Sequence, residues 1–94
     1  MTEKTEMMSL LYRTILNCTA ESDVADLLSD LCTFQEVEQM AQRVTAAKLI
    51  SEGKTYAEII EQTGISSATL SRVSRAMQHG SGGYARLMPK QKDK

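Results

Sequence analysis

The sequence has no tryptophan, a single proline (Pro89), a single histidine (His79), two cysteines, and four aromatic residues: Tyr12, Phe34, Tyr56 and Tyr84. A chain so poor in proline and strand-forming aromatics fits helices better than a sandwich or barrel. With one histidine and no cysteine pair at ligand spacing, no metal site is expected. No Ser/His/Asp set, no cysteine near His79 and no phosphate loop is present, so no enzyme class is indicated. Glu58 and Glu61 lie three apart on one predicted helix, where capping and solvation account for them. No stretch approaches the ~18 apolar residues of a membrane span. The start, Met1-Thr2-Glu3-Lys4-Thr5-Glu6, is acidic and polar rather than a basic segment leading into an apolar run. A cytoplasmic protein is expected, with no membrane partner. Cys18 and Cys32 then read as reduced, buried small hydrophobes.

At 94 residues the chain is expected to be one domain over 1–94. A domain of this size buries a modest share of its surface, and a dimer would supply apolar burial that one chain cannot. The net charge is −1, but its distribution is uneven. Residues 1–42 carry a net of −6, with only Lys4 and Arg13 as cations, and residues 43–94 carry +5. A basic half on an acidic scaffold points to a polyanion as partner of the basic half. A solubilising tail would explain Lys90, Lys92 and Lys94, but not Arg72 and Arg75 on a predicted helix.

Periodicity predicts five helices. The first spans about Glu6–Asn17, with Met7, Met8, Leu11, Ile15 and Leu16 as its stripe. The second spans about Asp23–Leu31, with Ser22 as N-cap and Val24, Leu27, Leu28 and Leu31 on one face. Thr33-Phe34-Gln35-Glu36 is a capping box that opens the longest helix, about Phe34–Glu52. Its predicted inner face is Val37, Met40, Ala41, Val44, Ala47 and Ile50, and Gly53 ends it. Thr55-Tyr56-Ala57-Glu58 is a second capping box, opening a short helix over Tyr56–Thr63 that stops at Gly64. Ser66 is the predicted N-cap of a fifth helix, about Ser67–Gln78. The segment His79–Gly83 breaks it. Tyr84–Met88 is predicted to form a further turn that docks on a partner surface, and Pro89–Lys94 a flexible tail. Residues 6–53 thus read as dimerisation helices, 55–78 as the functional motif, and 79–94 as a C-terminal turn and basic tail.

Two short helices joined by a tight glycine-containing turn are the sequence form of the helix-turn-helix. Counting Tyr56 as first, Gly64 is ninth, where the turn needs a positive φ. Ile59, Ile65, Leu70 and Val73 occupy the positions that must be apolar to hold the helices at their crossing angle. Ile60 is large where the motif is usually small. The remaining face of the fifth helix offers Ser67, Ala68, Thr69, Ser71, Arg72 and Arg75. Small residues allow close approach to base edges, and arginine pairs with guanine or holds phosphate. Ser66 at the helix start and Lys54, Thr55 and Tyr56 at the start of the preceding helix complete the candidate contacts with double-stranded DNA. The alternative is a helical protein–protein interaction module without DNA binding. Such a face should show apolar anchors, and this one offers none.

The stretch Leu31-Cys32-Thr33-Phe34-Gln35-Glu36, Gln42-Arg43-Val44, Gly53 and Gly64–Arg72 resembles the tryptophan repressor family. The tail Gly80-Ser81-Gly82-Gly83-Tyr84 is similar to its YerC/YecD-type relatives. The resemblance covers about Leu10–Met88 and is strongest over Thr33–Arg75. It implies an all-α, TrpR-like helical bundle with a helix-turn-helix, forming an intertwined homodimer that regulates transcription as a sequence-specific repressor, nucleoid-associated when bound to DNA. By the same resemblance, Thr33, Arg43 and Arg72 match residues that hold the family's corepressor, tryptophan. Two further positions depart from that pattern. Val73 stands where the family has a glycine that makes room for the indole. Ala76 stands where a serine helps hold the ligand's amino group. A Val at 73 should fill part of the ligand's volume and secure the reading helix without it, so the pocket is expected to be vestigial and tryptophan not to be a cofactor.

Overall fold

Capping chemistry sets where the helices begin, and six of them form in the computed structural model, which describes residues 3–89. The described residues fall into two compact units dividing between Val37 and Glu38.

The first unit contains α1 (Lys4–Leu16) and α2 (Glu21–Leu31). α1 starts two residues before the predicted Glu6, because the Glu6 carboxylate accepts the Glu3 backbone N–H at 3.1 Å and closes the first turn. α2 starts at Glu21, and Ser22 is not its cap. The capping group is the Asp23 carboxylate, which accepts the Thr19 N–H at 2.9 Å, the Thr19 hydroxyl at 3.0 Å and the Ala20 N–H at 3.2 Å. Those bonds, the Thr19 backbone one first, hold the Asp23 carboxyl below its ordinary value. No residue of either helix is buried. Leu11, Leu27 and Leu28 are half-buried, while Met7, Met8, Leu10, Tyr12, Ile15, Leu16, Val24 and Leu31 are exposed. Cys18 and Cys32 are free and only half-buried, not buried as expected.

The helix α3 (Phe34–Ser51) opens on the predicted capping box. Thr33 Oγ1 accepts the Glu36 N–H at 3.1 Å, and Glu36 Oε1 accepts the Thr33 N–H at 2.8 Å. The second unit holds the body of α3 with α4 (Tyr56–Thr63), α5 (Ser67–His79) and α6 (Gly83–Leu87). Its core is Ala46, Ala47, Leu49, Ile59, Ile65, Leu70 and Val73. Ile59 and Leu70 are fully enclosed at 0% exposure, a burial that contributes ~1.5–3 kcal/mol for each side chain. The predicted inner face of α3 is correct at Ala47, half-buried at Val37 and Ile50, and wrong at Met40, Ala41 and Val44, which are exposed. Ala46 and Leu49 take the core positions instead. The last turns of α3 are the part covered by α4 and α5 within this unit.

Gly53 and Gly64 both adopt positive φ, 83° and 75°, as the sequence required where α3 and α4 stop. α6 packs on its own chain, with Tyr84 and Met88 partly buried against the core. No described helix is long and apolar enough to cross a membrane. The basic positions Lys90, Lys92 and Lys94 lie outside the described residues.

Candidate nucleic-acid interface

The start of α4 is fixed by a reciprocal cap. Thr55 Oγ1 accepts the Glu58 N–H at 3.2 Å, while Glu58 Oε1 accepts the Thr55 N–H at 2.8 Å and the Thr55 hydroxyl at 3.1 Å. The Thr55 N–H bond, then the hydroxyl, and less strongly the Lys54 charge hold the Glu58 carboxyl below its ordinary value of 4.5. The folded pKa lies below the unfolded one. The cap's stabilisation is therefore present above the unfolded pKa and is lost as pH falls through the folded value. Thermal melts between about pH 6 and 3 should show stability falling on the acid side, and Glu58→Gln should flatten that fall. An identical pH slope in wild type and variant would contradict the assignment.

The start of α5 is fixed by Ser66, whose Oγ accepts the Thr69 N–H at 3.1 Å and donates to Thr69 Oγ1 at 2.9 Å. Ser66 is therefore engaged in the cap, and Thr69 is half-buried beside it. The other candidate contacts, Lys54, Thr55, Tyr56, Ser67, Ala68, Ser71, Arg72 and Arg75, are all exposed. α5 is sharply two-sided. Leu70 and Val73 point into the core, and Ser67, Ser71, Arg72 and Arg75 lie on the side left to solvent. Arg72, Arg75 and His79 recur at i, i+3 and i+7, one face of the helix. With Ala76 and Gly80 they line a shallow cleft of about 330 Å³. Two fixed cations and an imidazole around an opening of that size suit an anionic oxygen group.

Four of the five residues matched to the family's ligand site, Arg43, Arg72, Val73 and Ala76, belong to the second unit. Arg72 and Ala76 share the cleft. Val73 is 2% exposed and belongs to the core. Arg43 is exposed on α3 and does not line the cleft. Thr33 lies in the other unit, its hydroxyl used in the α3 cap. Among the described residues the one ion pair is Lys48–Glu52 at 3.8 Å, which does not involve Arg43.

Three residues escaped the sequence reading. His79 was signalled by its spacing from Arg72 and Arg75. Gln42 donates from Nε2 to the Thr63 carbonyl at 3.1 Å. Its partner is 21 residues away, and no local spacing signals it. Thr63 joins the turn through its hydroxyl, which donates to the Ile59 carbonyl at 2.8 Å and accepts the Ile65 N–H at 3.1 Å.

The family model described as Trp repressor protein matches residues 6–92. The uncharacterized protein YerC of Bacillus subtilis (strain 168) is 35% identical over 83 residues, covering 88% of this chain and 80% of that protein. A crystal structure of a TrpR-like protein from Eubacterium eligens superposes with a TM-score of 0.85 at 35% identity, covering 93% of this chain and 96% of that one. A structure from Staphylococcus aureus gives 0.84 at 33% identity, covering 92% and 91%.

Proposed function

The chain belongs to the Trp repressor family, and from that premise we propose that it is a homodimeric DNA-binding transcriptional regulator, a repressor, that lays α5 in the major groove and needs no tryptophan. The observation that carries the reading is the two-sidedness of α5. One side is locked into the core through Leu70 and Val73, and the other offers Ser67, Ala68, Ser71, Arg72 and Arg75 with no apolar anchor. Small residues at the helix start leave room for base edges, and the arginines beyond them reach guanine or phosphate. Lys54, Thr55 and Tyr56 at the start of α4 flank the groove and meet the backbone. Such a protein works in the cytoplasm, at the nucleoid when bound.

The partner subunit accounts for α1 and α2, which bury no residue within the chain and expose Met7, Leu10, Ile15 and Leu16. Apolar surface of that extent on a small helical unit is what a second copy covers.

Arg72→Ala and Arg75→Ala should each weaken binding of a selected duplex by about 1–3 kcal/mol. Fluorescence anisotropy of labelled duplex measures this, and unchanged binding in both variants would remove the reading face from α5.

Tryptophan independence follows from Val73 and Ala76. The Val73 side chain adds three carbons, stiff at χ1, to a position where the family accommodates an indole. Overpacking of this kind costs about 1–3 kcal/mol, a tenfold to hundredfold loss in affinity. Ala76 offers no hydroxyl to a ligand amino group. Val73 meanwhile serves the core, which supports a reading helix held without ligand. Calorimetry with millimolar tryptophan should give no micromolar site, and DNA binding should be the same with and without it. Binding seen only with tryptophan would overturn this. Val73→Gly combined with Ala76→Ser should open the space and favour ligand.

A further inference from the structure

We infer that Gln42 is a positioning residue: its carboxamide latches α3 to the end of α4 and so sets the angle at which α5 presents its arginine face. The inference rests on the DNA-binding reading above for its purpose, but not for its geometry.

A helix leaves its last carbonyls without intrahelical partners, and each needs one when it is not in water. At the end of α4 the Ile60 carbonyl takes the Gly64 N–H at 2.9 Å. The Thr63 carbonyl takes the Gln42 Nε2 donor at 3.1 Å, from 21 residues upstream. Among the described residues, every other side-chain hydrogen bond joins positions no more than four apart. Gln42 and Thr63 are both half-buried, so the bond is partly shielded from water. Because the acceptor is a carbonyl, the amide NH₂ faces it, and a side chain without a donor leaves Thr63 unpaired.

The connection that follows has little slack. Only residues 64–66 separate α4 from α5. Gly64 is held in the left-handed region at φ 75°. Ile65 is 2% exposed in the core. Ser66 caps α5. A displacement of Thr63 is therefore passed to the start of α5, where Ser67 and Ala68 stand. Ala46 and Leu49 anchor the same face of α3 in the core, so Gln42 acts from a fixed base.

The test uses the full chain with Gln42→Met, which keeps length but loses the donor, and Gln42→Glu, which sets an acceptor against the carbonyl at neutral pH. Amide hydrogen exchange on the unbound protein reads the latch without DNA. In Gln42→Met, exchange at Gly64, Ile65 and Leu70 should rise about tenfold relative to the amides of α3. Affinity for a duplex fragment recovered by selection should fall about tenfold, while affinity for a random duplex and the salt slope stay unchanged. Gln42→Glu should match Gln42→Met at neutral pH and recover toward wild type, compared at the same pH, near about pH 4, where a carboxyl of ordinary pKa is mostly protonated and gains a donor. Gln42→Met should not recover. Unchanged exchange overturns the latch whatever the DNA result. Faster exchange with equal losses on selected and random duplex overturns the positioning role, because a folding defect alone lowers both alike. A wild-type protein that prefers no fragment overturns the DNA reading and α5 positioning together, while the exchange measurement still judges the latch.

Discussion

Raising the salt from about 50 to about 200 mM should weaken duplex DNA binding by about 10³–10⁴-fold, if a dimer makes about six to eight phosphate contacts. Each neutralised phosphate releases condensed counterions, so log K falls with log[salt] at a slope of roughly −5 to −7. The cations for those contacts are in place. Lys54 is exposed just before α4 and Arg72 and Arg75 are exposed on α5, and a dimer doubles the set. Residues 1–42 carry a net charge of −6 and residues 43–94 carry +5, so the cations are concentrated in the half of the sequence that bears α4 and α5. A titration at several salt concentrations measures the slope. A value near zero would favour the protein-interaction alternative, in which the α5 face meets another protein and releases few ions.

Leu70→Ala should cost about 2–5 kcal/mol of stability, the range for emptying a fully buried leucine site. Leu70 is 0% exposed and stands with Ile59, Ile65 and Val73 between α4, α5 and the end of α3. The cost has two parts, lost transfer of the side chain from water and a cavity that neighbours only partly refill. Total stabilities of small proteins are about 5–15 kcal/mol, so this single change removes a large fraction. The neighbouring exposed substitution Ser71→Ala should stay within about 0.5 kcal/mol. Urea denaturation of both variants provides the comparison. A Leu70→Ala loss no larger than that of Ser71→Ala would mean that α5 is not held by its core side.

The residues that build the α4–α5 pair were legible because their signals are local. Ile59, Ile65, Leu70 and Val73 sit at spacings set by one turn and two helical periods, and all four are buried. Gly64, Thr55 and Ser66 carry caps and stops written within four residues of their partners. The stripe of α3 was less legible. Met40, Ala41 and Val44 recur at helical spacing, yet are exposed in the chain. Periodicity reports that a face is apolar and says nothing of whether the chain itself covers it. The α2 cap failed for a different reason. Thr19, Ser22 and Asp23 are all capping residues within five positions, and the carboxylate wins by accepting three donors at once. Gln42 was illegible as a partner of Thr63, since nothing in local spacing links residues 21 apart. Cys18 and Cys32 misled because apolar neighbours in sequence do not guarantee neighbours in space.

Selection of bound duplexes from a random pool tests most directly whether α5 reads DNA sequence as part of a dimer. Selection without added tryptophan should enrich a two-fold-symmetric site whose half-sites lie about one helical turn, about 34 Å, apart. Arg72→Ala should lose the preference at the positions it contacts. Recovery of a pool no different from the input, with wild-type protein at low salt, would contradict the account.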